Sequence, residues 1–146
     1  MKRLALTICL AALTGPVFAQ GTPAPDGATV YFVNLEDGAT VTSPVKVVFG
    51  LSGMGVAPSG IEKENTGHHH LFVNRPPLGE GDFGAEELEL GIPADDNHIH
   101  FGGGQTETAL ELPPGEYTLQ LVLGDAGHVP HATAVASDVI TITVSE

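Results

Sequence analysis

The 146-residue chain carries eighteen acidic against five basic side chains, a formal charge of −13, so it offers no electrostatic footprint for nucleic acid or anionic lipid. An apolar content of 42% is ample for a core and excludes a disordered acidic tail. Cys9 is the only cysteine, which excludes a disulfide framework.

Residues 1–19 read as a secretory signal peptide. Lys2 and Arg3 form a positive start, Leu4 to Leu13 an apolar run, and Val17-Phe18-Ala19 a small-x-small cleavage site. The run is too short to span a bilayer, so the reading is export to the periplasm or beyond, with cleavage between Ala19 and Gln20 and no membrane insertion afterwards. Cleavage removes Cys9, Lys2 and Arg3, leaving Lys46, Lys63 and Arg75 as the only basic residues. Any metal in the mature chain must then be held by His, carboxylate, Met or backbone groups.

Residues 20–27, rich in Pro, Gly and Ala, read as a mobile linker, and 28–146 as the folded domain. Ala28 to Asn34 is β-branched and aromatic and predicts a strand. Glu36-Asp37-Gly38 marks a turn, and Val45 to Leu51 predicts a second strand. Gly53 to Gly67 reads as a loop. A strand then begins at Gly67-His68-His69-His70-Leu71-Phe72-Val73 and stops at Arg75-Pro76-Pro77. Leu78 to Ala94 is acidic and Gly-rich with no helical face of useful length, so it is expected to be a long irregular insertion. His98 to Phe101 predicts a short extended piece, and Thr106 to Leu112 another strand. Tyr117 to Asp125 predicts a strand with Tyr117, Leu119, Leu121 and Leu123 on one face, and Val139 to Val144 closes the sheet after a loop over Gly127 to Ala136. Short strands separated by turns at this spacing predict an all-β, immunoglobulin-like sandwich of six to eight strands, its long loops carrying histidine clusters.

The seven histidines occupy three short stretches: His68, His69 and His70; His98 and His100; His128 and His131. Side chains two apart on a strand share a face, so His68 pairs with His70, and His98 with His100. His69 then falls on the opposite face with Leu71 and Val73, where a packed, hydrogen-bonded histidine is expected. Pro130 fixes the path between His128 and His131, so that both can turn inward. Imidazoles converging on one point suit a borderline or soft divalent ion, copper first and zinc second. The candidate ligands are His68, His70, His98, His100, His128 and His131. Asp125, Asn97, Gln105 and Glu107 are candidates to orient them. Gly102-Gly103-Gly104 lacks the Lys-Ser/Thr and helix of a phosphate loop, and no nucleophile arrangement is visible.

The stretches Thr66-Gly67-His68-His69-His70-Leu71, Asn97 to Glu107, Leu119 to Asp125 and His128-Val129-Pro130-His131 resemble those of a small family of bacterial exported proteins catalogued as a domain of unknown function. The resemblance covers roughly Ala28 to Val144. It implies export and this fold, and implies no activity. The leading functional expectation is a periplasmic metal-binding module for ion capture or delivery, more a binding protein than an enzyme. Against it stand a metal-free envelope domain, whose histidines form a hydrogen-bond network and which meets an envelope protein partner, and a copper metalloenzyme.

Overall fold

The computed structural model describes residues 21–146; the stretch read as a signal peptide lies outside them. The strands are β1 (Thr29–Phe32), β2 (Thr40–Thr42), β3 (Val45–Ser52), β4 (Gly55–Val56), β5 (Thr66–Val73), β6 (His98–His100), β7 (Glu107–Leu110), β8 (Gly115–Gly124) and β9 (Ile140–Ser145), with one short helix, α1 (Gly84–Leu90), between β5 and β6. They form two sheets. One has the order β1-β3-β7; the other runs β2-β9-β8-β5-β4, with β6 also paired to β5.

Period-2 alternation puts Val45, Val47 and Phe49 of β3 on one side of the core. Leu119, Leu121 and Leu123 of β8 and Ile140, Ile142 and Val144 of β9 face them from the other. Leu121 and Leu123 are fully buried, and each such side chain contributes roughly 1.5–3 kcal/mol by leaving water. The face expected for β8 is therefore the core face.

The pairing is that of an immunoglobulin-like sandwich. The first edge strand is split, β1 lying antiparallel to β3 and β2 parallel to β9. β3 pairs with β7 in one sheet, and β5, β8 and β9 are successive antiparallel neighbours in the other. At the start of β8 the Tyr117 hydroxyl donates to the Pro113 carbonyl at 2.9 Å, the tyrosine corner that stabilises this turn in such domains.

Three segments depart from expectation. The stretch Gly53 to Gly67 holds β4, which pairs parallel with Thr66 and Gly67. The insertion Leu78 to Ala94 is not wholly irregular: it contains α1, anchored because Glu87 is buried and accepts from the Gly79 amide at 2.8 Å. Glu87 also pairs with Arg75 Nη1 at 2.8 Å, and the Arg75 guanidinium lies 4.2 Å from the centre of the Phe72 ring. Alternation along so short a helix is weak, and a single buried ion pair, invisible to periodicity, holds it down. The described part of the linker is docked rather than free. The Thr22 amide donates to Asp125 Oδ2 at 3.1 Å, and the Thr22 carbonyl accepts from the Ala132 amide at 3.0 Å.

Candidate metal centre

The site is built on the face of β5 turned away from the core. Leu71 and Val73 point inward, and His69 with them: its ring packs 5.1 Å from that of Phe49, and its Nδ1–H donates to the Gln105 carbonyl at 3.2 Å. His68, His70 and Phe72 project outward. There Phe72 forms a small second core with Val122 and Ile92, the latter from the end of the insertion. This cluster seals one flank of the histidines.

Strand register brings the second stretch to the first. β6 runs antiparallel to β5 with His100 opposite His70 and His98 opposite Phe72. The loop after β8 brings the third. Asp125 shapes it, Oδ1 accepting from the amides of Gly127 at 2.9 Å and Val129 at 3.1 Å, a turn of the kind acidic side chains form with their own backbone. Within it His128 adopts a left-handed φ of 68°, uncommon for a residue with a Cβ, and its ring turns toward β5. The strain is held from two sides: the His128 amide donates to the Asp125 carbonyl, and its carbonyl accepts from the Ile92 amide at 3.1 Å.

The result is four imidazoles, His68, His70, His100 and His128, whose candidate ligand atoms all lie within 4.8 Å of one another. Their ring centres are 4.6 to 5.9 Å apart. His68 and His70 are fully buried, His128 partly, and His100 is exposed, so the group opens to solvent at one side. Glycine makes room for it. A Cβ at position 124, opposite His68 on β8, would stand 2.5 Å from His70 Nε2, and one at position 102 would overlap the His100 ring.

Burial and mutual repulsion favour the neutral form of His68, His70 and His100. The His68 pKa falls to about 4 and that of His70 to about 2, first through burial and then through neighbouring imidazoles, while the Asp125 carboxylate opposes the shift at His68. Burial, then His128, also lowers that of His100. Neutral imidazole is the form that ligates a metal. His68 Nδ1 and His70 Nε2 are buried with no hydrogen-bond partner, an arrangement that costs roughly 1–3 kcal/mol per group unless something satisfies it.

His98 and His131, candidate ligands by sequence, are not in the group. His98 meets His70 edge to edge, ring centres 4.9 Å apart and planes 25° apart, and both its nitrogens are engaged: Nδ1 with the Pro93 carbonyl at 2.9 Å, Nε2 with His70 Nδ1 at 2.7 Å. His131 turns the other way because Pro130 bridges to Gly124, and its Nδ1 meets the Thr22 carbonyl at 3.1 Å and hydroxyl at 3.0 Å. Of the proposed orienting residues, Asp125 acts through the loop. Asn97 instead donates to the Val73 carbonyl, the Gln105 side chain accepts from Gly103, and Glu107 pairs with Lys46 on the other sheet. Sequence reasoning missed Ser59, 3.2 Å from His128 Nε2, and the backbone groups of Ile92 and Pro93. None of the three carried a readable signal, since two act through backbone groups and the third lies in a distant loop.

No curated protein and no solved structure matches the chain. A family model does, over residues 47–145, a span that runs from β3 to β9 and takes in all seven histidines. The chain belongs to the family described as domain of unknown function DUF4399.

Proposed function

We propose that the protein is a metal-binding module of the bacterial periplasm, taking copper or, failing that, zinc through His68, His70, His100 and His128, and serving ion capture or delivery. The convergence of the four imidazoles carries this reading. An all-nitrogen set without thiolate suits Cu(II), which heads the affinity order for such ligands, and also tetrahedral zinc. Exposure of His100 beside two buried partners gives an ion a way in and out, as exchange requires. Export rests on the sequence of residues 1–19. No helix among the described residues is long and apolar enough to cross a membrane.

Calorimetric titration of untagged protein from Gln20 onward with Cu(II) and Zn(II) tests the reading. The expected result is one ion per chain with Kd below about 1 μM, and a loss greater than about hundredfold in His100→Ala, since even residues behind the ligands are worth 10–100-fold. A second reading has its own observation. His68 Nε2 and His128 Nδ1 lie 3.2 Å apart and His128 Nε2 reaches Ser59, a chain that pins the loop to the sheet without an ion. It describes a metal-free envelope interaction domain, and titrations showing no binding above the variant's background would favour it.

A further inference from the structure

We infer that His98 is a positioning residue: it fixes the tautomer of His70 and thereby presents His70 Nε2 to the ion, an inference that rests on the metal reading above. The direction of the chain follows from its last acceptor. The Pro93 carbonyl can only accept, so His98 Nδ1 carries the proton, 2.9 Å away. In a neutral imidazole His98 Nε2 is then the lone pair. At 2.7 Å it requires a proton from His70 Nδ1, which leaves His70 Nε2 bare. That is the atom found buried and without a partner, pointing at the space over Gly124 that a Cβ would fill. Three independent features (the carbonyl, the short ring-to-ring contact and the orphaned nitrogen) thus agree on one tautomer.

The carbonyl that starts the relay belongs to the insertion. Pro93 follows Ile92, whose amide holds the His128 carbonyl. One short stretch of backbone therefore bears on two of the four ligands, on the His70 ring through His98 and on His128 through its backbone carbonyl. The relay is the arrangement by which outer hydrogen bonds raise ligand basicity and fix ring orientation in metal sites.

The test uses Zn(II), which is diamagnetic, and nitrogen-detected NMR of the imidazoles in the full mature chain, with His98→Phe and His98→Gln. Phenylalanine keeps an aromatic ring in the space and removes the acceptor; glutamine restores an acceptor near the former Nε2. In the zinc-free wild type, His70 should carry its proton on Nδ1. Zinc should then bind His70 at Nε2, affinity should fall 10–100-fold in His98→Phe, and His98→Gln should recover most of it. A purely packing role for His98 predicts the reverse order, with Phe tolerated and Gln impaired. A His70 protonated on Nε2 in the zinc-free protein, or unchanged zinc affinity in His98→Phe, overturns the relay alone. Wild-type protein that binds neither Zn(II) nor Cu(II) yet holds His70 as the Nδ1–H form overturns the metal reading, and the positioning role with it. The zinc-free spectrum reads the tautomer even if a variant fails to fold.

Discussion

His69 and its two neighbours occupy consecutive positions on one strand and live in different solvents. His69 faces the sandwich core, one nitrogen satisfied by a backbone carbonyl and its ring against Phe49. His68 and His70 face outward into a space roofed by the loop after β8 and flanked by the insertion. All three are fully buried. Burial alone therefore does not mark a ligand. The distinction lies in company: the Phe49 ring lies against His69, while His68 and His70 each have several other imidazoles within 6 Å between ring centres. Stability is stored on the inner face and chemistry is assembled on the outer one.

The sharpest way to break that division is to loosen the roof without touching a histidine. Arg75 and Glu87 are nearly inaccessible, and the insertion hangs from their contact. Removing one partner of a buried pair costs about 3–5 kcal/mol, because the other charge stays behind unpaired. Here Arg75 keeps a second partner, Asp95, at 2.9 Å, which places Glu87→Ala toward the lower end. Denaturant unfolding should show that loss, and hydrogen exchange should place the earliest opening at residues 78–97, ahead of β3 and β8. Metal affinity should fall with it, since the Ile92 amide and Pro93 carbonyl lose their anchor. Unchanged affinity in a folded Glu87→Ala protein would show that the outer face assembles itself without the insertion.

Acid should weigh most on the outer face, where two rings are shifted far, although burial also lowers the pKa of His69 on the inner one. The folded pKa of His68 is about 4 against 6.5 for a free imidazole, and that of His70 is lower still. Below pH 6.5 the unfolded chain takes up protons that the folded one refuses, so stability is complete above pH 6.5. It declines as pH falls toward the folded values, where the rings charge at last. Protons compete with the ion for the same nitrogens, so bound metal should hold the fold through part of that window. Urea midpoints measured from pH 7.5 to 4.5, with and without Zn(II), check both halves. A flat profile would mean that the outer rings are better solvated than the geometry shows.

The division between the faces is itself half legible in the sequence. The strands that carry the core could be read because Val45-Lys46-Val47 and Leu119-Gln120-Leu121 alternate cleanly, and alternation also placed His69 apart from His68 and His70. Local signals end there. That His100 stands opposite His70 depends on register between strands separated by a whole insertion, and that His128 turns inward while His131 turns outward depends on a left-handed residue and a bridge at Pro130. His98 shares a strand face with His100 and looked equivalent to it. A carbonyl from Pro93, which no pattern of side chains announces, makes it a support instead. The docking of Thr22 on Asp125 and His131 is likewise a contact between distant segments, absent from the composition that suggested a linker.

The smallest expected effect is the most discriminating, because it concerns the histidine that sequence proximity would most readily enlist. In His69→Met the replacement is apolar, flexible and of similar size, so packing against Phe49 survives. The Gln105 carbonyl loses its donor, a cost of roughly 1–2 kcal/mol when the group stays buried and less if the loop after β6 admits water. Against that, the His69 Nε2 that now lies buried without a partner disappears, which offsets part of the loss. Thermal unfolding should therefore shift by a few degrees at most. Metal stoichiometry and affinity should equal the wild type's, because no atom of His69 reaches the outer face. Weakened binding in His69→Met, with stability preserved, would mean that β5 can rotate its face toward the ion, and the separation of core from site would have to be abandoned.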